Sequence, residues 1–143
     1  MKDGTLSLGH VLLIDDEEVD RRIYARVLKR AGLVTELTAF GYAADALAYL
    51  RDPDRPPVDL ILLDVNMPGM SGFEFLTRME RMSDEIMPPP PVIVMLTTSL
   101  NPTDMARAQA FASVRAYLNK PLDIAQINDL IPNLRSTSVD TGD

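Results

Sequence analysis

The chain has 143 residues, of which 46% are hydrophobic and 24% charged, a composition typical of one folded domain and too apolar for a disordered chain. Lys and Arg number 14 against 21 Asp and Glu, and the resulting net charge of -7 opposes direct binding to nucleic acid or to an anionic membrane surface. The chain has no cysteine for disulfides or thiolate chemistry and no long apolar run for a signal peptide or membrane span, so we expect a cytoplasmic protein.

Strand-like apolar runs alternate with helix-like segments along the chain. This alternation is typical of βαβ units, in which helices cover both faces of a parallel sheet. The pattern predicts an α/β fold with a doubly wound, five-stranded parallel sheet and five helices.

The first strand and the first helix are strongly marked. Residues 10–15 form the predicted strand, and the predicted helix runs over Glu17–Ala31. Three apolar residues recur at helical spacing in this helix: Val19, Ile23 and Val27. Gly32 stands where a left-handed C-cap would end it.

The next three elements lead to the middle of the sheet. A weaker second strand is predicted over Thr35–Phe40, followed by a short, Ala-rich helix over Ala43–Arg51. That helix ends before the Pro-rich loop of residues 52–57, and Val58–Leu63 is the predicted third strand.

Two helix starts are marked in the second half of the chain. Ser71 and Glu74 form a predicted capping box. Asn101 is a predicted N-cap, and Pro102 and Asp104 suit the first turn that follows it.

The remaining segments complete the alternation. Pro88–Pro91 predict a stiff, extended entry into a fourth strand over Val92–Leu96, and the fifth strand contains Ala116–Leu118. The last helix is predicted to begin near Asp123 and to kink or end at Pro132. Its apolar stripe consists of Ile124, Ile127, Leu130, Ile131 and Leu134.

Chemically active residues stand where four of the predicted strands end. Asp15 and Asp16 follow the first strand, Asp64 the third, Thr97 the fourth and Lys120 the fifth. Because the carboxyl ends of parallel strands share one edge of a sheet, we expect these side chains to form a single pocket.

Such a pocket suits a divalent cation and a phosphoryl group. Three crowded carboxylates repel one another, and oxygen ligands without His or Cys suit Mg²⁺, for which Mn²⁺ should substitute. An Asp beside Mg²⁺ can act as a nucleophile toward phosphorus, while Lys120 and the Thr97 hydroxyl bind the other phosphoryl oxygens. These new bonds would let the modified form adopt a different conformation.

Four blocks of the sequence resemble the signatures of response-regulator receiver domains. They are Ile14–Glu17, Leu63–Gly72, Leu96–Ser99 and Tyr117–Pro121. The resemblance covers about residues 10–134, and residues 1–9 and 135–143 are expected to be short, flexible termini. It implies the flavodoxin-like strand order 2-1-3-4-5 and a stand-alone, chemotaxis-type response regulator of two-component signalling.

By this resemblance, Asp64 is the residue that is phosphorylated. The same carboxylate is an implied Mg²⁺ ligand. Asp16 is implied to bind the ion directly, Asp15 through water, and Asn66 through its backbone carbonyl.

The resemblance also implies a switch. Thr97 and Tyr117 would be coupled, the hydroxyl moving toward the phosphoryl group as the aromatic ring turns inward. Lys120 is implied to pair with the phosphate, and the bond between Lys120 and Pro121 resembles the family's cis peptide.

The implied function is signalling. The protein would accept a phosphoryl group from a histidine kinase or a histidine phosphotransfer protein, and it would then act on an unidentified downstream protein. It would not be an enzyme beyond its own phosphorylation and dephosphorylation. The predicted helix over Thr103–Phe111 carries more apolar surface than one buried stripe requires, so Met105 and Phe111 are candidates for partner or homodimer contacts.

Other interpretations remain open from the sequence. A Mg²⁺-dependent phosphatase could use the same nucleophile but wants a second Asp where Asn66 stands, and a flavodoxin-like module could bind FMN at the same sheet edge. Tyr117 could instead be a half-buried strand residue with its hydroxyl in water. His10, far from the expected pocket, is interpreted as structural.

Overall fold

The computed structural model describes residues 8–86, 90–98 and 101–130. Within them, five parallel strands form one sheet in the order β2-β1-β3-β4-β5, which confirms the predicted fold class. The strands are β1 Gly9–Ile14, β2 Val34–Phe40, β3 Leu60–Asp64, β4 Val92–Thr97 and β5 Val114–Asn119. The helices are α1 Glu18–Arg30, α2 Ala43–Arg51, α3 Gly72–Arg81, α4 Pro102–Gln109 and α5 over residues 124–130, with a short 3-10 helix at Ser83–Glu85.

Strands β1, β3 and β4 form the buried centre of the sheet. Their apolar runs are continuous because both faces are covered by helices, whereas β2 and β5 at the two edges are partly exposed. Side chains alternate between two cores: Leu12 packs toward α2 and α3, while Leu13 packs toward α1 and α5. Because successive side chains of a strand point to opposite faces of the sheet, the same three strands contribute residues to both cores.

The apolar stripe that marks α1 in the sequence does not face the core. Val19 is 64% exposed and Ile23 is 49% exposed, whereas Tyr24 and Leu28 are buried. Tyr24 and Leu28 are one turn apart and pack with the α1 and α5 core, so the buried face is rotated by about 100° from the stripe. Val27 is half-buried at the boundary between the two faces.

The predicted helix caps agree with the structure in most respects. Gly32 has a positive φ of 69°, as a left-handed C-cap requires, and the Asn101 side chain accepts bonds from two backbone N–H groups at the start of α4. Ser71 Oγ accepts from the backbone N–H of Glu74 at 3.1 Å. The Glu74 carboxylate turns to Arg78 at 3.0 Å, so the predicted box is formed on one side.

Several predicted boundaries shift by one or two residues. Strand β3 begins at Leu60 rather than at Val58, although Val58 is buried. Helix α4 runs over Pro102–Gln109 and therefore ends before Phe111. These differences lie at element ends, where few hydrogen bonds decide the assignment.

Some predictions fall outside the described residues. They concern the N-terminal segment up to residue 7, Pro88, Pro89, and the chain after residue 130, which includes Ile131, Pro132, Leu134 and the C-terminal segment 135–143. In the described part of the chain, no helix has the length and apolar character needed to cross a bilayer.

Candidate functional site

The carboxyl edge of the central strands gathers three aspartates. Asp15 follows β1 and is fully buried, Asp64 ends β3 and is 5% exposed, and Asp16 is half-buried. One carboxylate oxygen from each residue lies within 4.8 Å of the others. The site therefore lies between β1 and β3, where the strand order reverses and where ligands bind in open α/β sheets.

Local hydrogen bonds fix the Asp15 side chain and its backbone. The backbone N–H of Asp15 donates to the carbonyl of Phe40, and the N–H of Glu17 donates to Asp15 Oδ1 at 2.9 Å. The Arg21 guanidinium donates to the Asp15 carbonyl at 2.8 Å. These bonds hold Asp15 just before the start of α1.

Asp64 is held by the turn between β3 and α3. The backbone N–H of Val65 donates to the carbonyl of Leu96 at 2.9 Å, and that of Gly72 donates to the carbonyl of Val65 at 2.8 Å. A Cβ at Gly72 would lie 2.6 Å from the Asp64 carbonyl oxygen, closer than real Cβ contacts allow. Gly72 therefore lets α3 begin directly against the phosphoacceptor candidate.

Lys120 brings its ammonium group into the acidic cluster. Nζ lies 2.7 Å from Asp15 Oδ2, 3.0 Å from Asp20 Oδ2 and 3.6 Å from Asp64 Oδ1. Its side chain is 8% exposed, and its backbone N–H donates to the carbonyl of Thr97. The end of β5 is thereby joined to the ends of β1, β3 and β4.

The electrostatics of the pocket follow from this crowding. Burial, and then the charge of Asp15, raise the pKa of Asp64 to about 7, although Lys120 and a backbone N–H of Asn66 act in the opposite direction. Burial lowers the pKa of Lys120, but its bonds to Asp15 and Asp20 and the charge of Asp64 outweigh burial and leave that pKa above its usual value. Lys120 is therefore a cation at neutral pH, whereas the Asp64 carboxyl is harder to ionise than an ordinary aspartic acid.

Thr97 and Tyr117 occupy the adjacent strands β4 and β5. Thr97 is 1% exposed, and the Tyr117 ring packs against the core on the α2 and α3 side. The Tyr117 hydroxyl is buried and makes no hydrogen bond of standard geometry in the described part of the chain. Burial and the charge of Asp104 raise the pKa of this phenol, while the nearby Thr97 hydroxyl lowers it. The alternative in which the hydroxyl lies in water is therefore wrong.

Two further predicted features lie at the same edge. Asn66 follows Asp64 by two residues, its side chain is exposed, and its backbone N–H acts to lower the pKa of the Asp64 carboxyl. The peptide bond between Lys120 and Pro121 is cis, as the resemblance implies.

The donor set fits a hard divalent ion. Asp15, Asp16 and Asp64 offer carboxylate oxygens close together, and a cation among them would oppose the burial and the repulsion from Asp15 that raise the pKa of Asp64. The backbone carbonyl of Asn66, which the resemblance implies as a further ligand, stands two residues after Asp64. Such a set suits Mg²⁺ or Mn²⁺ rather than a metal that prefers nitrogen or sulfur.

One residue of the pocket was not predicted from the sequence. Asp20 lies in the first turn of α1, one helical turn after Asp16, and pairs with Lys120. Spacing of four residues from Asp16 would have placed it on the same side of the helix start. The signal was weak because acidic residues are common in the first turn of any helix.

Comparisons with known proteins agree with this architecture. The family described as the response regulator receiver domain matches residues 11–132. Sporulation initiation phosphotransferase F of Bacillus subtilis is 31% identical over 121 residues, which cover 85% of this chain and 89% of that protein. The crystal structure of a two component response regulator from Cytophaga hutchinsonii superposes with a TM-score of 0.75 at 27% identity, covering 91% of this chain and 98% of that one.

A larger relative contains a similar segment. Hybrid signal transduction histidine kinase L of Dictyostelium discoideum is 27% identical over 130 residues, and the match covers 91% of this chain but only 7% of that protein. Fold and pocket thus define a doubly wound α/β protein with an acidic site at its topological switch point. The chain belongs to the response regulator receiver domain family of two-component signalling.

Proposed function

We propose that the protein accepts a phosphoryl group on Asp64 from a histidine kinase or a histidine phosphotransfer protein, in a Mg²⁺-dependent reaction, and that the modification switches a partner-binding surface. The single observation that carries the proposal is the position of Lys120 Nζ, 3.6 Å from Asp64 Oδ1, within a cluster of three aspartates. A nucleophile, a cation for the transferred group and oxygen ligands for a metal are thereby brought to one place.

The chemical step is a displacement at phosphorus. An Asp64 carboxylate oxygen attacks the phosphorus of a phosphohistidine, and the new O–P bond forms as the N–P bond breaks. The imidazole leaves with the electron pair of that bond and takes up a proton. Lys120 donates to one phosphoryl oxygen, and the Thr97 hydroxyl, buried at the end of β4, can donate to another.

The metal site would be formed by Asp15, Asp16, Asp64 and the Asn66 carbonyl. When bound there, Mg²⁺ supplies positive charge that keeps Asp64 ionised and offsets the charge of the transferred group. Asp64 depends on such a cation because burial and Asp15 raise its pKa to about 7.

The switch would use Thr97 and Tyr117. A bond from Thr97 to the phosphoryl group draws its hydroxyl toward Asp64 and so takes from the buried Tyr117 phenol the polar neighbour that lowers its pKa. The cost of an unpaired buried hydroxyl favours rearrangement of the Tyr117 ring and of the neighbouring α4 and β5 surface.

An apolar surface beside the pocket supports docking of a phosphodonor protein. The large hydrophobic side chains that are exposed in the described part of the chain are Val19, Ile23 and Tyr42, with Tyr42 71% exposed. Val19 and Ile23 lie on α1, which begins at the pocket, and Tyr42 precedes α2 after the carboxyl end of β2. Exposed apolar groups next to a reactive carboxylate are typical of a protein-binding face.

The α4 and β5 surface is the proposed output face, and a homodimer is one use of it. Met105 and Phe111 are half-buried, Phe111 stacks on Phe73, and the Arg107 guanidinium lies 4.4 Å from the centre of the Phe73 ring. Replacing Met105 or Phe111 should weaken partner binding or self-association. Unchanged kinase binding and unchanged self-association in both variants would contradict this part of the proposal.

A labelling experiment tests the central claim. The purified protein is incubated with Mg²⁺ and acetyl phosphate or a phosphorylated kinase, and we expect a hydroxylamine-labile adduct that is lost in Asp64→Asn. Asp45→Asn, which removes an exposed carboxylate in the first turn of α2, is the matched control and should label normally. Stable labelling of Asp64→Asn would refute the assignment.

The same preparation separates the alternatives. A protein that is not an enzyme beyond its own phosphorylation and dephosphorylation should release no more than background phosphate from small phosphoesters. Sustained turnover would favour the phosphatase, for which Asn66 lacks the acid function. A yellow protein carrying FMN would favour the flavodoxin-like module.

A further inference from the structure

Asp20 gives Lys120 a partner that competes with the reacting carboxylate. Nζ lies 3.0 Å from Asp20 Oδ2 and 2.7 Å from Asp15 Oδ2, which are hydrogen-bond distances, but 3.6 Å from Asp64 Oδ1. An ammonium group has three donors. Two of them are therefore directed to Asp15 and Asp20 rather than to Asp64.

Asp15 and Asp20, the two hydrogen-bond partners of Lys120, differ in burial and in their other contacts. Asp15 is fully buried, and its other carboxylate oxygen accepts from the backbone N–H of Glu17. The Asp20 side chain is 30% exposed and lies on the first turn of α1. Water can solvate Asp20 after its bond to Lys120 is lost, but it cannot reach Asp15 in the same way, so the bond to Asp20 is the one that can be exchanged.

We propose that Asp20 is a positioning residue that competes with the phosphoryl group for the Lys120 ammonium and thereby weakens binding of that group in the pocket. The inference rests on the proposed role of Asp64. In the unmodified protein Asp20 draws the ammonium toward α1, and in the modified protein Lys120 shares its charge between Asp20 and the phosphoryl oxygens.

The charge of Asp20 acts in the same direction as its hydrogen bond. A phosphoryl group adds between about 1.5 and 2 negative charges, and a carboxylate that contacts the same ammonium opposes its entry. Replacing Asp20 by Asn removes this charge and leaves an amide oxygen of similar shape. The substitution should therefore free Lys120 for the phosphoryl group without opening a cavity.

Binding of beryllofluoride, a phosphoryl mimic, measures this competition directly. The full chain is titrated at fixed Mg²⁺ with beryllium and fluoride, and the Kd is obtained by calorimetry. We expect Asp20→Asn to bind about 3- to 10-fold more tightly than the natural chain, within the range of a partly exposed ion pair. Asp20→Glu, which keeps the charge, should bind within about 2-fold of the natural chain.

The matched control is Glu18→Gln. Glu18 lies two residues earlier on α1 and pairs with the exposed Arg22, so its replacement removes one negative charge without a contact to Lys120. Its Kd should change by less than about 2-fold. Tighter binding in Asp20→Asn is informative because damage to the fold would weaken the complex.

The possible results of the beryllofluoride titration distinguish the inference about Asp20 from the proposed function. An unchanged or weaker complex in Asp20→Asn, or an equal gain in Glu18→Gln, overturns the inference about Asp20 while leaving the proposed function intact. Failure of the natural chain to bind beryllofluoride, together with failure of the labelling experiment on Asp64, overturns the proposed function and the inference with it.

Discussion

Buried polar groups have different surroundings at the two ends of the parallel strands, which we call the amino edge and the carboxyl edge of the sheet. Near the amino edge, His10 Nδ1 donates to the Pro57 carbonyl at 2.9 Å, and its Nε2 lies 3.0 Å from the Thr38 hydroxyl. Arg55 is buried there as well, and its guanidinium donates to the carbonyls of Leu50 and Pro56.

At the carboxyl edge, by contrast, like charges are crowded. Asp15, Asp16 and Asp64 lie close together, and Lys120 contacts Asp15 and Asp64. The pKa of Asp64 is raised by burial and by Asp15. His10 and Arg55 near the amino edge thus find their hydrogen-bond partners within the protein, as buried structural polar groups should. On the proposed function, a cation and a phosphoryl group would offset the crowded charges of the carboxyl edge.

The largest effect should come from removing the ammonium at the carboxyl edge. Lys120→Met takes away the donor that lies 3.6 Å from Asp64, and we expect the rate of labelling by acetyl phosphate to fall about 100-fold, as for loss of one donor to a developing charge. Labelling is followed over time by intact-protein mass spectrometry. Lys29→Met, in the last turn of α1, is the control and should label at the normal rate.

A second test concerns the close approach of α3 to Asp64. Gly72→Ala should lower the free energy of unfolding by about 2–3 kcal/mol, because the new Cβ would meet the Asp64 carbonyl and Met95. Urea unfolding measures the loss. Gly32→Ala has no neighbour within 4 Å but keeps a positive φ, so it should cost only about 1 kcal/mol. Equal costs for the two variants would show that steric approach at the pocket is unimportant.

The pH dependence of stability should reveal the crowding at Asp64. Its pKa is about 7 in the folded chain and 3.8 as the ordinary value, so between these pH values the folded state holds a proton that the unfolded state has released. Because of Asp64, the free energy of unfolding therefore falls as pH rises from 3.8 through 7.

The substitution Asp64→Asn removes this fall in stability with rising pH, because asparagine does not ionise. In chelator at pH 8 the variant should be more stable than the natural chain by about 1–3 kcal/mol, and the difference should shrink on acidification toward pH 4. Urea unfolding at several pH values provides the measurement, and saturating Mg²⁺ should reduce the gap at pH 8. A difference independent of pH would contradict the assigned cause.

The smallest effect is expected at the amino edge. His10→Phe keeps the ring against Tyr49 but leaves the Pro57 carbonyl and the Thr38 hydroxyl without their partner, at a cost of about 1–2 kcal/mol. Thr38→Val removes one of the two bonds and should cost less. Labelling of Asp64 should be normal in both variants. A labelling defect would contradict a purely structural role for the amino edge.

Local sequence signals were sufficient for most of the fold. Continuous apolar runs predicted the three central strands, and Gly32 and Asn101 marked helix ends by their own backbone and side-chain preferences. The α1 stripe shows the limit of such reasoning. Val19 and Ile23 have helical spacing, but which face of the helix is buried depends on the sheet that it meets.

The sequence by itself determined the parallel sheet and the placement of Asp15, Asp64, Thr97 and Lys120 at strand ends, because strand periodicity and strand termini are local properties. Tertiary structure alone decided the pairing of Lys120 with Asp20, across 100 residues, and the raised pKa of Asp64. Both depend on distances and burial that arise only when α1, β3 and β5 are packed together. Electrostatic energies depend on those distances and on exclusion of water, which residue order does not specify.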